Sequence, residues 1–301
     1  MSYNMLNYLC LIVKPNSKSL TSSIIDHSKD ILASCHDSII EEKWLEINES
    51  YEILLKSNNT NELNILLQSK MPKYVDCLLV PKKNRKMKLL VADMDSTIIR
   101  EETLDEIARS LGIHDKISKI TNLAMDGKIN FIDSLNERIA ALKGVKSTDL
   151  KNVLEKKLTI NSGAETLIKT MRENQCKTAL VTGGFSFFAK PIGDMLGFDY
   201  VISNTLEIVD ECLTGKLLRP IIDGEAKKNS LIKIAEKNNI GINQTIAVGD
   251  GENDIQMIET AGVGVGFKAK SGLQKKTTTN IINGDLTSIL YIQGYKKSEF
   301  I

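Results

Sequence analysis

Three short polar turns carry the residues most able to do chemistry: Asp93-Met94-Asp95, Thr182-Gly183-Gly184 and Gly249-Asp250-Gly251. Each follows directly on an apolar run, Lys88 to Ala92, Thr178 to Val181 and Thr245 to Val248, short enough to be a buried strand. Asn253 and Asp254 stand just past the third turn, and Lys227 opens a helical stretch. Asp, Thr, Lys and Gly make a poor set for hydride or acyl transfer and a good one for phosphoryl transfer. A phosphoryl group repels an anionic nucleophile, so its site must supply positive charge. A hard cation such as magnesium, bound by carboxylate and carbonyl oxygens, does so.

Each residue type has a place in that chemistry. Asp93 can attack phosphorus and form an acyl-phosphate, and with Asp250 it is a candidate metal ligand. Asp95, two residues on, can face the leaving group as general acid if crowding by phosphate and Asp93 keeps it protonated. It then takes a proton from the hydrolytic water. The Thr182 hydroxyl and the Gly183 backbone N–H suit phosphoryl oxygens, and Lys227 adds a point charge for the transition state. Asn253 can orient substrate, and Asp254 can support the metal site from behind.

These residues converge only if the apolar runs are neighbours in one sheet. From Met87 on, the three runs and a fourth, Val263 to Phe267, are separated by helical patterns at Ala164 to Glu173, Phe185 to Leu196, Lys227 to Lys237 and Ile255 to Ala261. Such alternation predicts an α/β fold with a parallel sheet covered on both faces. Ligands bind sheets of this kind outside the carboxyl ends of the strands. Residues 101 to about 158 interrupt the pattern. Leu104, Ile107, Ala108 and Leu111 recur at helical spacing, as do Phe131, Leu135, Ile139 and Leu142, which predicts a helical insertion straight after the first strand. Asn204 to Ile222 reads as a β-excursion with a turn at Thr214-Gly215. The glycines from Gly262 to Gly266 lack dinucleotide-loop spacing and read as close-packed strand. His27, His36 and His114 fall outside every motif.

Glycine is absent before Gly112, a shift that sets the first 80 or so residues apart as an α+β unit, residues 1–81. Its expected elements are a strand at Leu6 to Val13, a helix at Leu20 to Ala33, a hairpin in Trp44 to Leu55, a helix at Asn61 to Gln68 and a strand at Tyr74 to Val80. The basic run Pro81 to Lys86 lacks interleaved aromatics and is expected to be a solvated connector into residues 82–301.

With 301 residues, 42% hydrophobic and 26% charged, the chain has material for about two globular domains. A net charge of +1 gives no field to draw it to nucleic acid or a membrane. Five singly dispersed cysteines offer neither a disulfide framework nor a zinc site, and no apolar stretch nears the roughly 20 residues of a membrane span. A cytoplasmic protein acting on a small molecule is the expectation.

Asp93-Met94-Asp95-Ser96-Thr97 resembles the first motif of the haloacid dehalogenase superfamily, Thr182 fits its second, Lys227 its third, and Gly249 to Asp254 its last, all in family order. Glu101 to Ala108, Met125 to Phe131 and Arg138 are similar to the cap of phosphoserine phosphatases. The likeness runs from about Met87 to the C-terminal helix. It implies a Rossmann-like core with a small helical cap, a magnesium ion bound by Asp93, Asp250 and the backbone carbonyl of Asp95, and phosphoserine as substrate in serine biosynthesis. It also places Glu102 and Arg138 on the amino acid portion, where Glu attracts an ammonium and Arg a carboxylate, with Met125 and Phe131 walling the pocket. Motif alignment selects Glu102 over Glu101 and Lys227 over Lys228. These enzymes usually carry Ser where this chain has Thr182. The same motifs would serve a transferase that passes the phosphoryl group to homoserine. A non-catalytic amino-acid sensor would need no nucleophile. By the same resemblance the N-terminal unit looks like a divergent ACT-like module, whose lack of glycine points to a structural or homodimerising role rather than ligand sensing.

Overall fold

The computed structural model describes residues 5–57, 59–125 and 128–301; the side chains of Met125 and Phe131 lie outside what it describes, as do Asp126 and Gly127 altogether. The chain builds two sheets.

The first comes from β1 (Met5–Ile12), α1 (Ser22–Ser34), β2 (Ser38–Glu46), β3 (Ser50–Ser57), α2 (Thr60–Lys70) and β4 (Asp76–Pro81). All its pairings are antiparallel, in the order β2-β3-β1-β4. Side chains alternate across a strand, and in β1, β3 and β4 both faces are largely buried, whereas the edge strand β2 is mostly exposed. Leu9, Leu11, Ile53, Leu55, Cys77 and Leu79 pack under α1 and α2. Cys10, Ile12, Leu78 and Val80 join the apolar core of the rest of the chain. The first unit thus has its own sheet but shares a core with the second.

Residues 82–86 are not a solvated connector throughout. Arg85 is tucked between the units, ion-paired to the buried Glu52, stacked on the Tyr8 ring and donating to the Ile292 carbonyl at 2.9 Å. Lys86 lies over the Tyr295 ring. Basic composition conceals this, because a guanidinium buries readily when aromatic and carboxylate partners come from distant segments.

The second sheet has the order β11-β10-β9-β5-β6-β7-β8. Its elements are β5 (Leu89–Ala92), then the insertion α3 (Thr103–Ser110), α4 (His114–Met125), α5 (Phe131–Ala140) and α6 (Ser147–Lys157), followed by α7 (Ala164–Glu173), β6 (Lys177–Phe185), α8 (Ser186–Leu196), β7 (Tyr200–Val209), β8 (Cys212–Leu218), α9 (Gly224–Lys237), β9 (Thr245–Gly249), α10 (Ile255–Thr260), β10 (Val263–Phe267), α11 (Ser271–Gln274), β11 (Thr279–Ile281) and α12 (Ser288–Ile292). All pairings except β7–β8 are parallel. Leu90 and Ala92 face one apolar layer while Leu89 and Val91 face the other, which is why β5 reads as an unbroken apolar run.

The hairpin β7–β8 turns at Asp210-Glu211, both at positive φ, and not at Thr214-Gly215. Gly215 lies inside β8, where α5 crosses close by: a Cβ there would stand 3.2 Å from the Ala140 Cα. The glycine that looked like a turn is a contact point for the inserted helices. Among the described residues no helix is long and apolar enough to cross a membrane.

Candidate active site

Strands β5, β6 and β9 are neighbours: Asp93 and Asp250 follow the ends of β5 and β9, while Thr182 lies within β6, which runs on through Gly183-Gly184 rather than turning there, its pairing with β7 shifted between Val181 and Phe185. The chain leaves β5 through a tight loop with Ser96 at φ 55°, a left-handed conformation that turns it sharply. The Asp93 N–H stays in the sheet, donating to the Val248 carbonyl at 3.0 Å. Asp223 caps α9 by accepting from Ala226 N–H at 2.9 Å, and one turn further in Lys227 is fully buried. Its ammonium donates to Asp93 and to Asp254, each at 2.7 Å. Neighbouring Lys228 remains part-exposed. Carboxylate oxygens of Asp93, Asp250 and Asp254 lie within 4.8 Å of one another. Glycine is required at Gly249, where any Cβ would collide with the Asp254 carboxylate.

A cavity of about 200 Å³ opens over this cluster. Core residues Asp93, Asp95, Thr182, Gly183, Gly184, Asp250 and Asn253 form its floor, and Glu102, Leu104, Leu135 and Arg138 of the inserted segment its other wall. Gly184 N–H donates to the Thr182 hydroxyl at 2.8 Å. Asp95 accepts from Thr103 N–H, at the start of α3, at 2.9 Å, which ties the floor to the inserted helices. Glu102 takes the Ser96 hydroxyl at 2.9 Å, whereas Glu101 turns away to the Thr159 N–H.

Electrostatics follow from burial. Burial pushes Asp93 up to about 6, aided by the charge of Asp254 and opposed by Lys227. It raises Asp250 to about 6 against the pull of Lys270. Asp95 stands well above the ordinary carboxylate range through burial first, then the charges of Glu102 and Asp93. Burial alone would lower Lys227, but Asp254 and Asp93 outweigh it and hold the ammonium above its usual value. The cluster thus offers one carboxyl poised to carry a proton, two that ionise near neutrality, and a fixed cation. Grouped hard oxygen donors of this kind fit a divalent cation such as magnesium.

All of the expected site residues with described side chains are brought together here. Met125 and Phe131 lie outside the described side chains, and Leu104 and Leu135 supply the apolar wall that is described. Lys270 escaped the sequence reading. Its ammonium bridges Asp250 at 2.9 Å and Glu102 at 3.0 Å. The signal was present: Lys268-Ala269-Lys270 follows the Val263–Phe267 run just as the other polar turns follow their strands.

Known proteins resemble this chain in sequence and in fold. The pattern of the haloacid dehalogenase-like hydrolases matches residues 90–259. A phosphoserine phosphatase of Idiomarina loihiensis is 43% identical over 213 residues, covering 71% of this chain and 96% of that protein. Among solved structures, a HAD family hydrolase from Salmonella enterica subsp. enterica serovar Typhi superimposes with a TM-score of 0.84 at 30% identity, over 96% of this chain and 98% of its own. A phospho-aspartyl intermediate analogue of phosphoserine phosphatase matches at 0.64 and 39% identity, over 68% of this chain and 98% of that one. On this sequence and structural match, the chain belongs to the haloacid dehalogenase-like hydrolase family, with phosphoserine phosphatases among its relatives.

Proposed function

We propose that this chain hydrolyses O-phospho-L-serine to L-serine and inorganic phosphate through a phosphoaspartyl intermediate on Asp93. The observation that carries this reading is one cavity with two chemistries: a buried carboxylate–lysine cluster on the floor, and a carboxylate and a guanidinium, Glu102 and Arg138, on the opposite wall. The floor suits a phosphoryl group, and the wall suits an ammonium and a carboxylate held together. Relatives named as phosphoserine phosphatases support the same substrate.

An Asp93 oxygen attacks phosphorus while the bond from phosphorus to the serine oxygen breaks. Asp95, kept protonated by burial and its acidic neighbours, gives its proton to that leaving oxygen. Serine departs, Asp95 takes a proton from water, and the resulting hydroxide attacks the phosphoaspartate to free phosphate and Asp93. Thr182 and Gly183 orient the phosphoryl oxygens, Asn253 the substrate, and Lys227 balances negative charge on Asp93 throughout. Magnesium, which Asp93, the backbone carbonyl of Asp95 and Asp250 would hold with Asp254 behind them, would supply charge neutralisation.

The N-terminal sheet, with its βαββαβ order, fits an ACT-like module with a structural or dimerising role. Five free cysteines fit a reducing cytoplasm.

Phosphate release from phosphoserine, phosphothreonine and sugar phosphates, with magnesium and with chelator, tests the reading. A strong preference for phosphoserine is expected, abolished by chelation and by Asp93→Asn. Equal turnover of sugar phosphates defeats the substrate assignment, and transfer to homoserine in preference to water would make the protein a phosphotransferase.

A further inference from the structure

A second cavity, of about 440 Å³, adjoins the active site and shares two residues with it, Asp250 and Lys270. Its character is different. The active-site cavity is lined by four carboxylates, Asp93, Asp95, Glu102 and Asp250, against Arg138 and Lys270. The second is lined by three cations, Arg100, Lys268 and Lys270, and its single carboxylate, Asp250, is already paired with Lys270 at 2.9 Å. Arg100 and Lys268 are exposed, and no ion pair joins either to a carboxylate among the described residues. Unpaired cations gathered at one mouth of a catalytic centre set up a field that concentrates anions.

We infer that this cavity is an anion site for inorganic phosphate, the product that the active site releases beside Asp250. The inference rests on the phosphatase reading, and its logic is the unlike charge of the two products. Serine is a zwitterion with no net charge, so it gains little from a cationic vestibule. Phosphate is an anion that must leave a site rich in carboxylates, and past Lys270 it meets Arg100 and Lys268, the cations of this lining that no carboxylate pairs among the described residues.

The test reads phosphate binding without turnover. Enzyme loaded with magnesium and beryllium fluoride has its Asp93 position occupied, so inorganic phosphate that still binds must sit elsewhere. Titration followed by phosphorus NMR line width should show one such phosphate on the unaltered chain. Binding should weaken at least tenfold in the double variant Arg100→Ala/Lys268→Ala, whose initial rate on phosphoserine stays within twofold. Phosphoserine serves as the second probe on the same blocked enzyme. Tighter binding of phosphoserine than of phosphate would assign the cavity to incoming substrate and overturn the proposal. Equal phosphate binding by both chains, with normal turnover, would also overturn it. Failure of the phosphatase reading looks different: neither chain would release phosphate from phosphoserine at all.

Discussion

Replacing Lys227 by Met removes a fully buried cation that both Asp93 and Asp254 contact. At 2.7 Å and an effective dielectric constant near 20, each ion pair is worth about 6 kcal/mol of Coulomb attraction before desolvation is charged against it. The net loss on breaking a buried pair is smaller, ~3–5 kcal/mol, because the carboxylates left behind can take up protons. For a chain of this size that corresponds to a fall in Tm of about 5–8 °C. Turnover should fall by ~10³ or more, since the charge that offsets the phosphoryl group has gone. Lys227→Arg should rescue neither property, because the planar, larger guanidinium must fit where the lysine has no free surface. Thermal unfolding with and without magnesium separates the two roles. A divalent cation replaces part of the missing charge, so magnesium should raise Tm more in Lys227→Met than in the unaltered chain. If the variant melts within 2 °C of the unaltered chain and keeps a tenth of its activity, the buried network is not what holds the site together.

In Gly184→Ala the new Cβ would lie 2.6 Å from an Asp95 carboxylate oxygen and 2.9 Å from the Met94 methyl, so kcat should fall about a hundredfold, with ~1–3 kcal/mol of stability lost to overpacking; steady-state rates and denaturant unfolding report both. Arg138→Ala should raise KM for phosphoserine about tenfold or more with kcat changed only severalfold, because carboxylate binding is common to ground and transition states; a fall in kcat alone would remove Arg138 from substrate recognition. Burial pulls Glu49 up, but hydrogen bonds from Lys297, the Asn16 N–H and the Tyr291 hydroxyl outweigh it and hold this carboxyl below its ordinary value. A depressed carboxyl contributes stability above its unfolded pKa and loses it as pH falls through the folded one, so the Tm gap between the unaltered chain and Glu49→Gln should be full at pH 6 and close on acidification below about 4.

The core strands were legible because a parallel strand buried on both faces leaves a short unbroken apolar run ending in a polar turn. Asp93 and Asp250 sit at such ends, whereas Thr182, which looked like one, lies inside β6 because the glycines after it continue the strand. The inserted helices were legible from periodicity alone, as at Leu104, Ile107 and Leu111. What sequence could not give were contacts between distant segments. Arg85 is basic and follows Pro81, so it looks like a linker residue. Only the fold brings Glu52, Tyr8 and the Ile292 carbonyl around it. Gly215 was misread for a related reason, since a glycine that admits a neighbouring helix and one that makes a turn are the same letter. The sharing of one apolar core between the two sheets was hidden too. It depends on Cys10, Ile12, Leu78 and Val80, which alternate with an equally apolar set facing the other way.

The same distance in sequence hides how the inserted helices and the core control each other. Glu102 belongs to the start of α3, yet its carboxylate is bonded by Ser96 and Lys270 of the core. Asp95 belongs to the core, yet it holds the first N–H of α3. After burial, the charge of Glu102 is the largest influence keeping Asp95 protonated. Movement of α3 away from the core would expose Asp95 to water and withdraw Glu102, both of which lower the Asp95 pKa, while breaking the Thr103 hydrogen bonds, which raises it; burial and the charge of Glu102 are the larger influences, so the net direction is down. The seating of α3 therefore favours the protonated form of Asp95 that a leaving oxygen needs, so the position of the inserted helices and the acidity of Asp95 are coupled.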